Sequence, residues 1–196
     1  QYQPKEWVRH PETGELVTWE ACQTFSGSWG YHRDETTWKS PEMLVQMLIN
    51  TVSIGGNLLM NVGPTSRGYL DYRAEAALAA YAGWMKYNSR SIYGCTMAEP
   101  DLLPLCPNGC KFAQSDDGKR LYIHLFGYPF QYLELPGFAG KVDYAQFLHD
   151  GSEILFEEKN ISHFSEGRST ADNLLVFKLP VIKPNTIVPV IEVFLK

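Results

Sequence analysis

Two glutamates near the start of the chain each stand beside a tryptophan, as Glu6-Trp7 and Trp19-Glu20. An apolar wall can keep a carboxyl protonated near neutral pH, which is the condition a general acid needs. Glu12 and Glu15, on either side of Gly14, read as solvated loop charges. A little further on, Ser28-Trp29-Gly30-Tyr31 sets an aromatic plane among small residues, with His32 and Arg33 behind it. Cys106-Pro-Asn-Gly-Cys110 has the spacing of a small disulfide loop, because Pro-Asn-Gly turns readily. Zinc would need a second Cys/His pair at ligand spacing, and Cys22 and Cys95 do not supply one; free thiols are the third reading, so the redox compartment stays open. Gly55-Gly56-Asn57, ahead of Asn61-Val-Gly63-Pro64, superficially resembles a phosphate cradle. It lacks the Gly-x-x-x-x-Gly-Lys-Ser/Thr pattern, and its glycines precede the apolar run instead of following it. Asn57 and Asn61 are better suited to holding loops. His124, His149 and His163 fall among strand-like segments and read as satisfied or exposed histidines, and Met43, Met47, Met60 and Met85 as core filler. Asn160-Ile-Ser162 is a formal glycosylation sequon. No metal and no cofactor is expected.

These residues need elements to position them. Ser40-Pro41-Glu42 is a helix start, with a capping hydroxyl, Pro at the first helical position and an acid in the first turn. Leu44, Met47, Leu48 and Val52 follow at helical spacing until Gly55-Gly56. The short apolar run from Asn57 to Pro64 predicts a strand buried on both faces, as in a parallel sheet. Asp71 reads as a second N-cap, before a helix over Ala74 to Lys86 with Leu78, Tyr81, Ala82 and Met85 on one face. Residues 16–31 read as a strand feeding a functional loop. Helix, buried strand, helix is the repeating unit of a barrel or a doubly wound sheet.

Past about residue 97 the texture becomes β. Short segments rich in β-branched or aromatic residues run over Lys119 to Phe126, Tyr132 to Leu135, Lys141 to Leu148, Glu153 to Phe156, Asn173 to Leu179 and Thr186 to Leu195. Turn residues separate them, which predicts an antiparallel sandwich. Pro100, Pro104 and Pro107 mark the junction. The class is therefore α/β plus all-β, divided into residues 1–96 and 97–196. A complete (β/α)8 barrel takes about 250 residues, so the α/β part is either a portion of one or a small separate fold.

Composition bounds the partners. The 196 residues carry a net charge of −5, with 44% hydrophobic and 20% charged residues. That suits a globular protein with a real core. No Lys/Arg cluster forms a stripe for nucleic acid. No apolar run reaches the roughly 18 residues of a membrane span, and the N-terminal residues do not read as a signal peptide.

Three segments taken together carry a resemblance: Trp19-Glu20-Ala21-Cys22 with Ser28-Trp29-Gly30-Tyr31; Val52-Ser-Ile-Gly-Gly-Asn-Leu-Leu-Met-Asn-Val-Gly-Pro64; and Gly83-Trp84 with Asn88, Ser91, Ile92, Tyr93 and Gly94. In this order and spacing the chain resembles the C-terminal half of the α-L-fucosidases, glycoside hydrolase family 29. The resemblance runs over roughly residues 6–95 and is architectural beyond them. It implies the C-terminal part of a (β/α)8 TIM-type barrel followed by an antiparallel β-sandwich, and retaining hydrolysis of terminal α-L-fucosyl linkages without a cofactor. A retaining site holds two carboxyl groups about 5–5.5 Å apart, one the nucleophile and one the acid/base. The family's nucleophile is the Asp of a Trp-x-Asp motif. The five tryptophans here are followed two positions on by Arg9, Ala21, Tyr31, Ser40 and Lys86, so the nucleophile is expected upstream and the chain alone is expected to be inactive. The family's upstream His-rich sugar-binding segments are absent as well. The resemblance offers the acid/base role to Glu6, on a loop ahead of the Trp-Glu pair, or to Glu20 within that pair. It sets Trp29 against the sugar. A fucosylated glycan, a missing barrel half or oligomer partner, and an extracytoplasmic location are implied with it. A rival reading is a non-catalytic carbohydrate-binding module displaying Tyr128, Phe130 and Tyr132; another is a structural fragment that folds only with a partner half.

Overall fold

The computed structural model describes residues 4–159 and 173–196. His163 and the Asn160-Ile-Ser162 sequon lie outside the described residues.

The α/β part contains two strand–helix units. Strand β1 (Glu20–Thr24) and β2 (Asn57–Asn61) pair in parallel through helix α1 (Pro41–Val52), and α2 (Tyr72–Asn88) follows β2. Both helix starts form as their sequences dictate. The Ser40 hydroxyl accepts from the Met43 amide ahead of α1, and the Asp71 carboxylate accepts from the Arg73 amide ahead of α2. Each side chain thereby satisfies one of the amides a helix leaves unpaired at its first turn. Gly55, at φ +75°, takes the left-handed conformation that ends the α1 turn.

Two expectations need correction here. The buried stripe of α2 is Ala74, Ala77, Trp84 and Asn88, whereas Leu78 and Ala82 face solvent. Tyr81 and Met85 are only partly buried. Alanines let α2 approach the cluster of Phe25 and Leu44 closely, so small residues set the face where large ones were expected to. Nor is β2 buried on both faces. Register pairs Cys22 with Leu59 on the face away from the helices, and Leu59 is 50% exposed. Parallel strands are normally covered on both sides, and nothing among the described residues covers this one.

The β part is a sandwich. Its larger sheet has the order β3 (Cys95–Thr96), β4 (Cys110–Ser115), β5 (Arg120–Leu125), β10 (Val190–Leu195), β7 (Val142–Phe147). The smaller has β6 (Tyr132–Pro136), β9 (Leu174–Lys178) and β8 (Phe156–Lys159). All pairings in both sheets are antiparallel. The strand expected from Glu153 begins instead at Phe156, and Glu153 makes only an isolated bridge to Gln146. Cys106 and Cys110 are free thiols, pushed up to about 11 and about 12 by burial.

Alternation along β5 and β10 ties the two parts together. Leu121, Ile123, Ile191 and Val193 enter the core between the sheets, against Leu135, Leu175 and Phe177. The residues between them, Tyr122, His124, Val190 and Glu192, face the helices. There Trp84 donates its indole N–H to the Val188 carbonyl at 2.9 Å, and Arg90 pairs with Glu192 at 2.9 Å. Thus the larger sheet is buried on both faces, and the sandwich packs on α1 and α2.

Candidate active-site face

In a parallel barrel the reacting groups gather at the C-terminal ends of the strands. Here those ends are Thr24 and Asn61, which are register partners. The loop leaving β1 folds back over them. Asn61 donates its side-chain amide to the Trp29 carbonyl at 2.5 Å. Beside it, a Cβ on Gly63 would lie 2.4 Å from the Tyr31 amide nitrogen and 2.7 Å from the Gly30 carbonyl carbon. Only glycine lets the exit of β2 pass so close to that backbone. The two contacts fix residues 29–31 on the strand end and leave the Trp29 ring 56% exposed. A narrow cleft next to it is lined by Phe25, Tyr31, His32, Trp38 and Asn61.

The remainder of the loop is held by polar contacts. The Lys39 ammonium donates to the carbonyls of Thr24 and Ser26, at 2.7 and 3.0 Å. Burial lowers its pKa, and Glu35 opposes that shift. The Glu35 carboxylate accepts from the hydroxyl and amide of Thr37, at 2.6 and 2.8 Å, and these bonds hold it below the usual carboxylate range. A carboxylate so stabilised in its charged form is unsuited to donating a proton. The Thr37 hydroxyl in turn accepts from the Gly27 amide at 2.8 Å. Arg73, in the first turn of α2, grips both Asp71 oxygens, at 2.7 and 3.0 Å, and so keeps Asp71 ionised. The same guanidinium donates to the carbonyls of Glu35 and Arg33 and lies 4.7 Å over the Trp38 ring. It thereby fastens the far end of the loop to α2.

The two glutamates lie elsewhere. Glu20 is the first residue of β1 and is exposed, opposite Asn57. Four residue steps at roughly 3.3 Å each put it about 13 Å from the end that carries Trp29. Glu6 is exposed on the segment that crosses the Gly55 turn, at the same far end. Their neighbouring tryptophans do not wall them in. A Cβ on Gly55 would strike the Trp7 ring at 2.2 Å, and one on Gly56 the Trp19 ring at 2.3 Å, so both rings pack flat on the glycine turn. Trp7 also donates to the Val17 carbonyl at 2.9 Å, and Asn57 donates to the Trp19 carbonyl at 3.3 Å. The structure therefore brings Trp29, Asn61 and Gly63 together, and it brings neither Glu6 nor Glu20 to them. Asn57 and Asn61 both hold loops, each through a tryptophan carbonyl. Arg73 and Lys39 carried no local signal, since their loop partners are remote in sequence.

Comparisons with known proteins bear on this geometry. Residues 1–90 match the family model for α-L-fucosidase. Plasma α-L-fucosidase of Homo sapiens is 44% identical over 78 residues, which is 38% of this chain and 17% of that protein. The solved structure of α-L-fucosidase isoenzyme 1 from Paenibacillus thiaminolyticus superposes with a TM-score of 0.79 at 31% identity, covering 97% of this chain and 44% of that one. The α-L-fucosidase from Vibrio sp. strain EJY3 shares the fold, with a TM-score of 0.79 at 20% identity over 93% of this chain and 30% of its own. This chain spans less than half the length of either solved structure. It is similar to the C-terminal portion of these enzymes, the end of the barrel followed by the β-sandwich.

Proposed function

We propose that this chain, similar to the α-L-fucosidases, supplies part of the sugar-facing end of such an enzyme, which hydrolyses terminal α-L-fucosyl linkages in glycans with retention. The observation that carries this reading is the exposed Trp29 ring, held on the C-terminal end of β2 by Asn61. Fucose has a methyl group where other hexoses have a hydroxymethyl, and it presents an apolar C–H face that an aromatic plane can cover. Retention needs two carboxyl groups close together at that face. No Trp-x-Asp motif occurs in this sequence, so the nucleophile is assigned to barrel elements outside these residues. The acid/base goes with it, because Glu6 and Glu20 lie at the opposite strand ends. The uncovered face of β1 and β2 supports a complement of further barrel strands, from the same chain or a partner. An extracytoplasmic location accords with the plasma form among the matched relatives.

A purely carbohydrate-binding role is not favoured. Phe130 and Tyr132 are exposed on the sandwich, but Tyr128 is tied by its hydroxyl to the Pro180 carbonyl, and the family match lies over residues 1–90. The test is release of nitrophenolate from 4-nitrophenyl α-L-fucoside, with the intact mass checked in parallel. The 196-residue chain alone gives no turnover, and a complete barrel carrying it does. Turnover by the chain alone would put the nucleophile within these residues. A complete barrel that leaves the fucoside intact would overturn the substrate reading.

A further inference from the structure

Residues 25–40, between β1 and α1, form no helix or strand, so the order of this segment rests largely on side-chain bonds. Lys39 and Thr37 hold the stretch from Thr24 to Gly27. Further along, Asn61 grips the segment at Trp29, and Arg73 grips it at Arg33 and Glu35. Tyr31 and His32, which line the narrow cleft beside Trp29, lie on the short span between those two grips.

The Arg73 guanidinium makes all its contacts in one arrangement. Its Nε and Nη2 hold the two Asp71 oxygens, at 2.7 and 3.0 Å. Nη1 donates to the Glu35 carbonyl at 3.0 Å, and Nη2 also donates to the Arg33 carbonyl at 3.3 Å. The Trp38 ring covers the cation at 4.7 Å, and the Tyr72 ring flanks it at 5.5 Å. Bidentate capture of a carboxylate, with two carbonyls bound at the same time, needs a planar fork of five donors. A lysine ammonium has three donors on one atom and cannot reproduce it. Asp71 also caps α2 through the Arg73 amide, at 2.9 Å, so the clamp is seated on the first turn of a helix.

We propose that Arg73 is a positioning residue for the sugar site, fixing the span from Tyr31 to Arg33 and with it the wall of the cleft beside Trp29. This rests on the fucosidase reading given above. Arg73 acts through the loop and does not itself touch sugar. Without it the span is tied at the Trp29 end alone, and the cleft wall loses its fixed place. The loss falls on binding and spares the chemical step, because the reacting carboxyls belong to other barrel elements.

The test is hydrolysis of 4-nitrophenyl α-L-fucoside by a complete barrel carrying Arg73→Ala, with KM, kcat and the thermal midpoint measured together. KM is expected to rise at least fivefold while kcat falls less than twofold. Guanidinium chloride at tens of millimolar, far below the molar range that unfolds proteins, restores at least half of the lost affinity. Matched sodium chloride does not, and the wild type responds to neither. Arg73→Lys keeps the charge without the fork and stays close to the alanine variant. Asp71→Asn retains a good capping residue but loosens one side of the clamp, so it raises KM at least twofold with the thermal midpoint nearly unchanged; it decides the matter alone if Arg73→Ala does not fold. With an active wild type, KM within twofold in both Arg73→Ala and Asp71→Asn overturns this proposal, as does full recovery by Arg73→Lys or a raised KM that guanidinium leaves untouched. A wild-type barrel that leaves the fucoside intact overturns the fucosidase reading and this proposal with it.

Discussion

Asn61, the last residue of β2, holds the Trp29 carbonyl at 2.5 Å, across 32 positions of sequence. That bond joins the strand end to the loop bearing the exposed indole. The platform thus depends on a side chain that need not itself touch sugar. Asn61→Ala removes one hydrogen bond of about 1 kcal/mol, so the fold should survive. In a complete barrel we expect KM for a fucoside to rise several-fold, with kcat changing less and the melting temperature falling by a few degrees. Asn61→Asp should be worse, because a carboxylate would face the carbonyl oxygen. An unchanged KM in both variants would show that the loop is held by other means.

Glu6 and Glu20 provide the contrasting expectation. Loss of a true acid/base costs roughly 100- to 10,000-fold in turnover. Because both sit at the N-terminal ends of the strands, Glu6→Gln and Glu20→Gln should each keep kcat within about threefold in a complete barrel. A loss of a hundredfold or more in either, with the fold intact by circular dichroism, would place that carboxyl at the reacting bond.

His124 makes the interface between helices and sandwich sensitive to pH. It is fully buried, with its ring nitrogens 3.0 Å from the Ser91 hydroxyl and 3.3 Å from the Lys111 carbonyl, and burial pushes it down to about 4 from its usual 6.5. Between those values the unfolded chain takes up a proton that the folded chain refuses. The stability it contributes is complete above about pH 6.5 and is lost as pH falls toward 4, at about 1.4 kcal/mol per pH unit. Urea unfolding at intervals from pH 7 to 4 should show this slope in the wild type and a smaller one in His124→Gln. Equal slopes would mean that the imidazole titrates alike in both states.

Glu192 is another polar group buried at that interface. Its carboxylate accepts from Arg90 at 2.9 Å, from Gln146 at 2.6 Å and from the Tyr122 hydroxyl at 3.3 Å. Removing it leaves the buried Tyr122 hydroxyl without its acceptor, which costs about 1–3 kcal/mol, while Arg90, whose side chain is 63% exposed, returns to water. Glu192→Ala should therefore lower the urea midpoint sharply, whereas the conservative Glu192→Gln should cost less. A loss under about 1 kcal/mol for the alanine variant would show that water replaces the carboxylate, the outcome expected of an exposed pair.

The features legible in the sequence were those fixed by short-range chemistry. Ser40 and Asp71 cap their helices because a capping side chain needs only amides two or three positions ahead. The sandwich strands could be read from alternation and turn residues. The buried face of α2 could not, because Ala74 and Ala77 pack closely precisely by being small, and a search for large apolar residues passes over them. The roles of Trp7 and Trp19 were hidden for a similar reason. Adjacency to a glutamate suggested a wall for the carboxyl, but the space above Gly55 and Gly56 attracts both rings. At the site, the Trp29 loop stood out in sequence, whereas Arg73 and Lys39, which secure it, act over distances that no local pattern records.

The measurement that bears most directly on the central claim is fucoside hydrolysis by a complete barrel carrying Trp29→Ala, with KM and kcat resolved separately. If the indole covers the apolar face of fucose, KM rises at least tenfold, equivalent to about 1.4 kcal/mol, while thermal stability holds because the ring is already half in solvent. Trp29→Phe recovers most of the loss. A KM within twofold of wild type for Trp29→Ala would contradict the account, since the exposed ring on the end of β2 would then have no part in holding the sugar.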